Sequence, residues 1–209
     1  MVYFIGKRVL CPIFMSWVKK IKGIENIPKK GAFIIAANHA SYIDHLIIVC
    51  TLIKHLNKKV HFLAKKEHFD NIFKKAWHNY AGAIPIDRQA GGKEALKWAI
   101  KALKQGKIIA IHPEGTRTLT GKLQKGKTGI ARLALKSKVP VLPIGLIGTF
   151  EILPKGKYVP KMKKAIMNIG KPIYLSEYYN KKINKRMLRE ITDSIMKEIA
   201  KLCNQKYNF

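Results

Sequence analysis

Phe33-Ile34-Ile35-Ala36-Ala37-Asn38-His39-Ala40-Ser41-Tyr42-Ile43-Asp44 is the stretch on which the fold turns. An unbroken apolar run leads into two polar residues, which reads as a buried strand stopping at Asn38 and His39 and restarting as a helix. Ser41 followed three residues later by Asp44 has the spacing of a capping box, which predicts Asp44 in the first helical turn, close to the loop that presents His39. A carboxylate there can hold one imidazole nitrogen and leave the other to act as a base near neutral pH. A cap aspartate beside a structural loop histidine fits the same residues.

Outward from this unit, short apolar runs at 32–37, 60–64, 83–86, 108–111, 141–147 and 165–169 alternate with helical patterns at 42–56, 67–80, 93–103, 129–136 and 184–202. The alternation predicts an α/β fold, a mixed and mainly parallel sheet covered by helices, with functional residues where strands run into loops. In the last helical pattern Met187, Ile191, Ile195, Ile199 and Leu202 form one stripe at helical spacing, which reads as core packing. Taken singly, the other histidines, including His45 and His61, read as structural.

The 209 residues include 41 basic and 12 acidic ones, a formal charge of +29, with 47% apolar positions. A disordered tail or a fibre is excluded, and the length suits one domain with at most a small appendage. The charge excess calls for a polyanionic counterpart: nucleic acid, an anionic membrane face, or an acidic or phosphorylated partner. Lysine supplies 35 of the 41 cations. That weakens sequence-specific nucleic-acid reading, which leans on the planar arginine fork. Cys11, Cys50 and Cys203 lie far apart with no CxxC pair, against a disulfide framework and in favour of a reducing compartment.

At the N-terminus Gly6, Lys7 and Arg8 break the first apolar run, and residues 9–18 are too few to cross a bilayer. Trp17 and the flanking lysines suit an interfacial segment, so residues 1–22 are expected as short helical pieces lying on a membrane, within an N-terminal segment 1–30 that precedes the α/β domain 31–209. An amphipathic helix packed on its own domain fits this stretch as well. Residues 155–164 form a basic loop containing Gly and Pro.

Two further clusters carry chemistry. In Ile111-His112-Pro113-Glu114-Gly115-Thr116-Arg117-Thr118 a proline stops a strand and a glycine permits a tight turn. Backbone amides, Thr116 and Arg117 are thereby left at a strand end, able to hold a phosphate or a developing oxyanion, while Glu114 can accept a ligand hydroxyl or brace the loop. Ile84-Pro85-Ile86-Asp87-Arg88 ends another short strand in an acid-base pair, and Lys65 ends a third. Read alone, the first cluster is an ordinary turn and the second an exposed ion pair.

Together these segments resemble the glycerolipid acyltransferase family, in particular its bacterial 1-acylglycerol-3-phosphate acyltransferases. The Asn-His-four-residues-Asp motif is matched by Asn38, His39 and Asp44. The apolar-Pro-apolar-Asp-Arg motif is matched by residues 84–88, the Phe-Pro-Glu-Gly-Thr-Arg-Ser motif by residues 112–118, and the Pro-containing strand by residues 139–145. The resemblance implies His39 as base oriented by Asp44. It implies Arg88, Glu114, Gly115, Thr116 and Arg117 on the substrate, with Lys65 a weaker carry-over. It further implies lysophosphatidic acid as acceptor, an acyl thioester of acyl carrier protein or coenzyme A as co-substrate with no cofactor and no metal, and a place on the cytoplasmic face of the membrane. Two positions depart from the family: His112 stands where Phe is usual, which puts a titratable ring beside the substrate loop, and Thr118 stands where Ser is usual.

A competing signal is Gly121-Lys-Leu-Gln-Lys-Gly126-Lys127-Thr128, which fits the phosphate-loop pattern of nucleotide hydrolases, although the stretch before it is polar and turn-like. No Gly-x-Ser-x-Gly elbow and no His-Glu-x-x-His helix occurs. The alternatives are transfer to another lysolipid or to glycerol 3-phosphate and, in other classes, a basic nucleic-acid binder or a catalytically silent membrane adaptor. No aromatic stacking module supports the nucleic-acid binder.

Overall fold

The computed structural model describes residues 6–86 and 92–209. Seven strands form one sheet: β1 (Val18–Lys22), β2 (Ile34–Ala37), β3 (Val60–Lys65), β4 (Ala83–Ile86), β5 (Ile108–Ile111), β6 (Val141–Ile147) and β7 (Ala165–Ile169). Their spatial order is β1-β7-β6-β2-β5-β3-β4. Every pairing is parallel except that of β6 with β7. The helices are α1 (Cys11–Met15), α2 (Asp44–Leu56), α3 (Ile72–Ala81), α4 (Lys93–Lys104), α5 (Gly129–Ser137), α6 (Thr149–Ile152) and α7 (Lys185–Leu202).

Strand β2 lies near the middle of the sheet, and its side chains alternate between two buried layers as the two-residue period of a strand requires. Ile34 and Ala36 face a core built with α4, α5 and α7, whereas Ile35 and Ala37 face one built with α2. Both isoleucines are sealed from water, each contributing roughly 1.5–3 kcal/mol of apolar burial. Covered on both faces, the strand is continuously apolar rather than alternating. Met187, Ile191, Ile195 and Ile199 of α7 all enter the first core. Strand β6 lies close against the end of α7 because Gly145 has no side chain to hold it off.

The N-terminal expectation is corrected. A helical turn at Gly6–Leu10 and α1 are present, but Val18–Lys22 is an edge strand pairing with β7, so the sheet begins well before residue 31. Val18 and Ile21 pack against the second core while Lys19, Lys20 and Lys22 point to solvent. Lysines along an edge strand also discourage pairing with a further chain. Among the described residues no helix is long and apolar enough to cross a membrane.

The strand directions decide where the motifs meet. Because β2, β3, β4 and β5 are mutually parallel through their pairings, the segments following their last residues leave the same end of the sheet. That is where an open α/β sheet offers a crevice.

Candidate active site

Strand β2 delivers Asn38 and His39 to this end. The Asn38 amide bonds both ways to the backbone of Leu146: its Nδ2 donates to the carbonyl at 2.9 Å and its Oδ1 accepts from the amide at 2.8 Å. It thus continues the β2–β6 pairing beyond the last strand residue and fixes where the next residue emerges.

His39 Nδ1 lies 2.9 Å from Asp44 Oδ2, and the same oxygen accepts the Ala40 and Ser41 amides at 2.7 Å each. With two amides donating to it, Oδ2 carries no proton. The imidazole Nδ1 is therefore the donor, and Nε2 holds the lone pair. The His39 side chain is 19% exposed and that of Asp44 fully buried, so substrate can reach the histidine but not the acid behind it. Burial raises the Asp44 carboxyl above its ordinary range, opposed by the Ser41 and Ala40 amides.

The predicted capping box forms by half. Asp44 reaches back to the Ser41 amide, but the Ser41 hydroxyl donates to the Leu153 carbonyl at 2.7 Å, and α2 starts at Asp44 with no side-chain cap. The serine ties the motif to the far loop instead.

His112 explains itself in three dimensions. Its ring stacks on His39 with centroids 3.9 Å apart and planes 6° from parallel, the flat contact that Phe at this position would supply. Its Nδ1 sits 3.0 Å from both the Ala37 and the Asn38 carbonyls. Carbonyls only accept, so Nδ1–H donates. Burial and the neighbouring His39 push its pKa down to about 4. The titratable ring anticipated beside the substrate loop is uncharged at physiological pH.

Glu114 joins the two motif loops. One carboxylate oxygen accepts the His39 amide at 2.7 Å, and the other accepts the Gln124 amide at 2.8 Å and its side chain at 3.3 Å. Burial, opposed by those donors, pushes the carboxyl up to about 7. Of the two readings of Glu114, bracing is the one the geometry displays, with both oxygens accepting from within the chain. Gly115 takes φ +76°, the left-handed region in which glycine is unstrained, and its amide closes the turn onto the His112 carbonyl at 2.9 Å. The Thr118 amide donates to the His39 carbonyl at 2.9 Å, a second tie between the loops.

Arg117 stacks its guanidinium on the Tyr42 ring, Cζ 3.4 Å from the centroid. Among the described residues its Nη1 is buried without a hydrogen-bond partner. An unpaired charged donor is costly, and an anion such as phosphate can complete it. Thr116 is exposed beside it. Lys65 ends β3 opposite Ile86, at the same end of the sheet. Asp87 and Arg88 lie outside the described residues.

Sequence reasoning missed Tyr42, Gln124 and Lys127. The Lys127 ammonium lies against Gly115, close enough to crowd a β-carbon placed there. Its signal was present but was absorbed into the phosphate-loop pattern. That pattern does not form a cradle: the Leu123 amide donates to Gln205 Oε1 at 2.8 Å, that of Gly126 to the Tyr207 hydroxyl at 3.1 Å, and that of Lys127 to the Pro113 carbonyl at 2.8 Å. The amides a nucleotide phosphate would need are occupied by the chain's own C-terminus and turn. His45 packs on Phe62 close enough to the site to feel the charges of His112, His39 and Arg117, and burial with those neighbours pushes its pKa down to about 4, while His61 Nδ1 donates to the Gly82 carbonyl at 3.1 Å.

A base held by a buried acid beside an unsatisfied guanidinium is equipped to take a proton from a hydroxyl on a phosphorylated molecule. The acyltransferase family pattern matches residues 19–147, and the chain belongs to that family. It is 29% identical over 187 residues to the 1-acyl-sn-glycerol-3-phosphate acyltransferase of Bacillus subtilis, covering 89% of this chain and 88% of that protein. The protein of the same name from Borreliella burgdorferi is 31% identical over 185 residues, covering 82% of this chain and 66% of its own. The crystal structure of the 1-acyl-sn-glycerophosphate (LPA) acyltransferase PlsC from Thermotoga maritima superposes with a TM-score of 0.69 at 25% identity, over 98% of this chain and 83% of that one.

Proposed function

We propose that this chain acylates the sn-2 hydroxyl of 1-acyl-sn-glycerol 3-phosphate from an acyl thioester, forming phosphatidic acid for phospholipid synthesis. The observation that carries the reading is the His39–Asp44 pair, with its aspartate sealed and its imidazole reachable, beside the unpaired Arg117 nitrogen. The relatives named for this reaction support the same acceptor.

His39 Nε2 takes the hydroxyl proton as the oxygen attacks the thioester carbonyl. The imidazolium so formed is stabilised by Asp44 and returns the proton to the departing thiolate as the tetrahedral intermediate collapses. One ester bond forms, one thioester bond breaks, and a free thiol leaves. Arg117 holds the phosphate, assisted by Arg88 and Lys65 as the family resemblance implies, and fixes the distance between hydroxyl and base. A thioester is already activated, so this scheme asks for no cofactor beyond the co-substrate, which is the thioester of acyl carrier protein or of coenzyme A. Catalysis takes place at the cytoplasmic membrane face, with the N-terminal turns at residues 6–15, where Val9 and Ile13 are half exposed, as anchor.

The test is thiol release from an acyl thioester in the presence of lysophosphatidic acid. Replacing His39 by Ala should lower turnover by roughly two to four orders of magnitude and leave sedimentation with vesicles unchanged. Undiminished turnover would remove His39 as the base.

A further inference from the structure

Residues 154–164, Pro-Lys-Gly-Lys-Tyr-Val-Pro-Lys-Met-Lys-Lys, carry five lysines and no acid. Tyr158, Val159 and Met162 stand 86%, 81% and 86% exposed between those lysines. Apolar side chains held this far into solvent and interleaved with cations fit the boundary layer of an anionic bilayer, where rings and aliphatic chains enter the acyl margin and ammonium groups meet headgroups.

The placement of the loop gives it a use. It connects the end of β6 to the start of the antiparallel β7, so it leaves the sheet at the same end as the His39 motif. At its root, the Leu153 carbonyl accepts the Tyr42 amide at 3.3 Å and the Ser41 hydroxyl at 2.7 Å. Its other flank is fastened to the N-terminal segment. Trp17 Nε1 donates to the Lys161 carbonyl at 3.1 Å, and Lys164 Nζ donates to the Ser16 carbonyl at 2.6 Å. Leu119, 72% exposed in the loop after Arg117, and Ile72 and Phe73, 76% and 82% exposed at the start of α3, flank the same end of the sheet.

We propose that residues 154–164 form a second membrane-contact element, which seats on an anionic lipid bilayer beside the N-terminal segment and turns the His39 crevice toward the lipid layer. A single anchor would leave the body free to swivel; two, hydrogen-bonded to one another and to the catalytic loop, hold the crevice facing the substrate's own phase. The inference rests on the reading that the acceptor is a membrane lipid.

The experiment uses the full chain with vesicles of phosphatidylcholine alone or mixed with phosphatidylglycerol. Two variants are compared with the parent: Tyr158→Ser with Val159→Ser and Met162→Ser, and Lys155→Gln with Lys157→Gln and Lys161→Gln. A basic residue near an anionic surface strengthens binding roughly fivefold. The triple lysine variant should therefore partition to the mixed vesicles on the order of a hundredfold more weakly, and the triple serine variant, which loses its apolar contact with the acyl margin, at least about tenfold more weakly. Turnover on lysophosphatidic acid dispersed in detergent micelles should stay at the parent level, with an unchanged melting temperature showing that the fold is intact. A separate Tyr158→Trp variant should gain fluorescence that brominated phosphatidylcholine quenches.

Parent-like vesicle binding by both triple variants, or added fluorescence that the brominated lipid leaves unquenched, overturns the proposal. So does a variant that keeps its vesicle affinity and loses only its apparent affinity for an acyl carrier protein thioester, because the loop then serves an acidic protein. A parent chain that binds vesicles through the loop but acylates nothing leaves the contact element standing and removes the acceptor reading.

Discussion

Replacing His112 by Phe tests whether the ring stacked on His39 is held neutral by its surroundings. Its pKa falls from the ordinary 6.5 to about 4 on folding, with burial first and the adjacent His39 second among the causes, and Asp44 and the two carbonyls acting against them. Between those values the unfolded chain binds a proton that the folded chain does not. This contribution to stability is therefore complete above pH 6.5 and lost as the pH falls through 6.5 toward 4. From about pH 7.5 to about pH 5 the loss is up to about 2 kcal/mol, an upper figure because the residue keeps some contact with solvent. Phenylalanine keeps the stacked face and forfeits the Nδ1–H bonds to the Ala37 and Asn38 carbonyls, costing about 1 kcal/mol at neutral pH. The variant should thus be the less stable protein at about pH 7.5 and the more stable at about pH 5, a relative swing in melting temperature of about 4–8 °C. Glu114, raised to about 7, titrates in both proteins and cancels in the difference, whereas His45, held near 4 by burial first and His112 second, loses the second cause in the variant and adds to the swing in the same direction. Thermal unfolding followed by circular dichroism at the two pH values reads it directly. A gap between variant and parent that is the same at both would refute the buried neutral ring.

Asp44→Asn should lower acyl transfer at least about a hundredfold with little change in apparent acceptor affinity, since the neutral amide no longer stabilises the imidazolium; steady-state kinetics at fixed thioester decides it. Arg117→Lys loses the planar contact with Tyr42 and the guanidinium nitrogen proposed to hold phosphate, so KM for lysophosphatidic acid should rise about tenfold or more while kcat changes less. A change confined to kcat would argue against phosphate binding at that position. Gly145→Ala puts a β-carbon about 2.6 Å from Leu202 Cβ and 2.7 Å from the Cys203 nitrogen. Forcing β6 and α7 apart should cost about 1–3 kcal/mol and show as a melting temperature several degrees lower.

The sequence determined by itself whatever depends on neighbours within a few positions. Apolar runs bounded by turns located β3 to β7, and helical periodicity located α7 with its buried stripe, because period and burial leave a mark on every residue of an element. His39 and Asp44 were legible for the same reason: a five-residue separation across a strand–helix turn confines the two side chains to hydrogen-bonding reach. Strand β1 was not legible. An edge strand with one face in water needs only Val18 and Ile21, and among lysines those two read equally well as a helix on a membrane.

Tertiary structure alone decided the interactions that span long stretches of chain. Glu114 lies 75 positions from the His39 amide it receives, and Leu146 lies 108 positions from Asn38. Their meeting depends on the register of parallel strands, which no local pattern encodes. The stacking of His112 on His39 and of Arg117 on Tyr42 depends on the same register. So does the fate of the phosphate-loop pattern, whose amides are taken by Gln205 and Tyr207 at the far end of the chain. Local sequence supplied the reacting groups, and the packing of the sheet set which of them face one another and which are already spent on holding the loops in place.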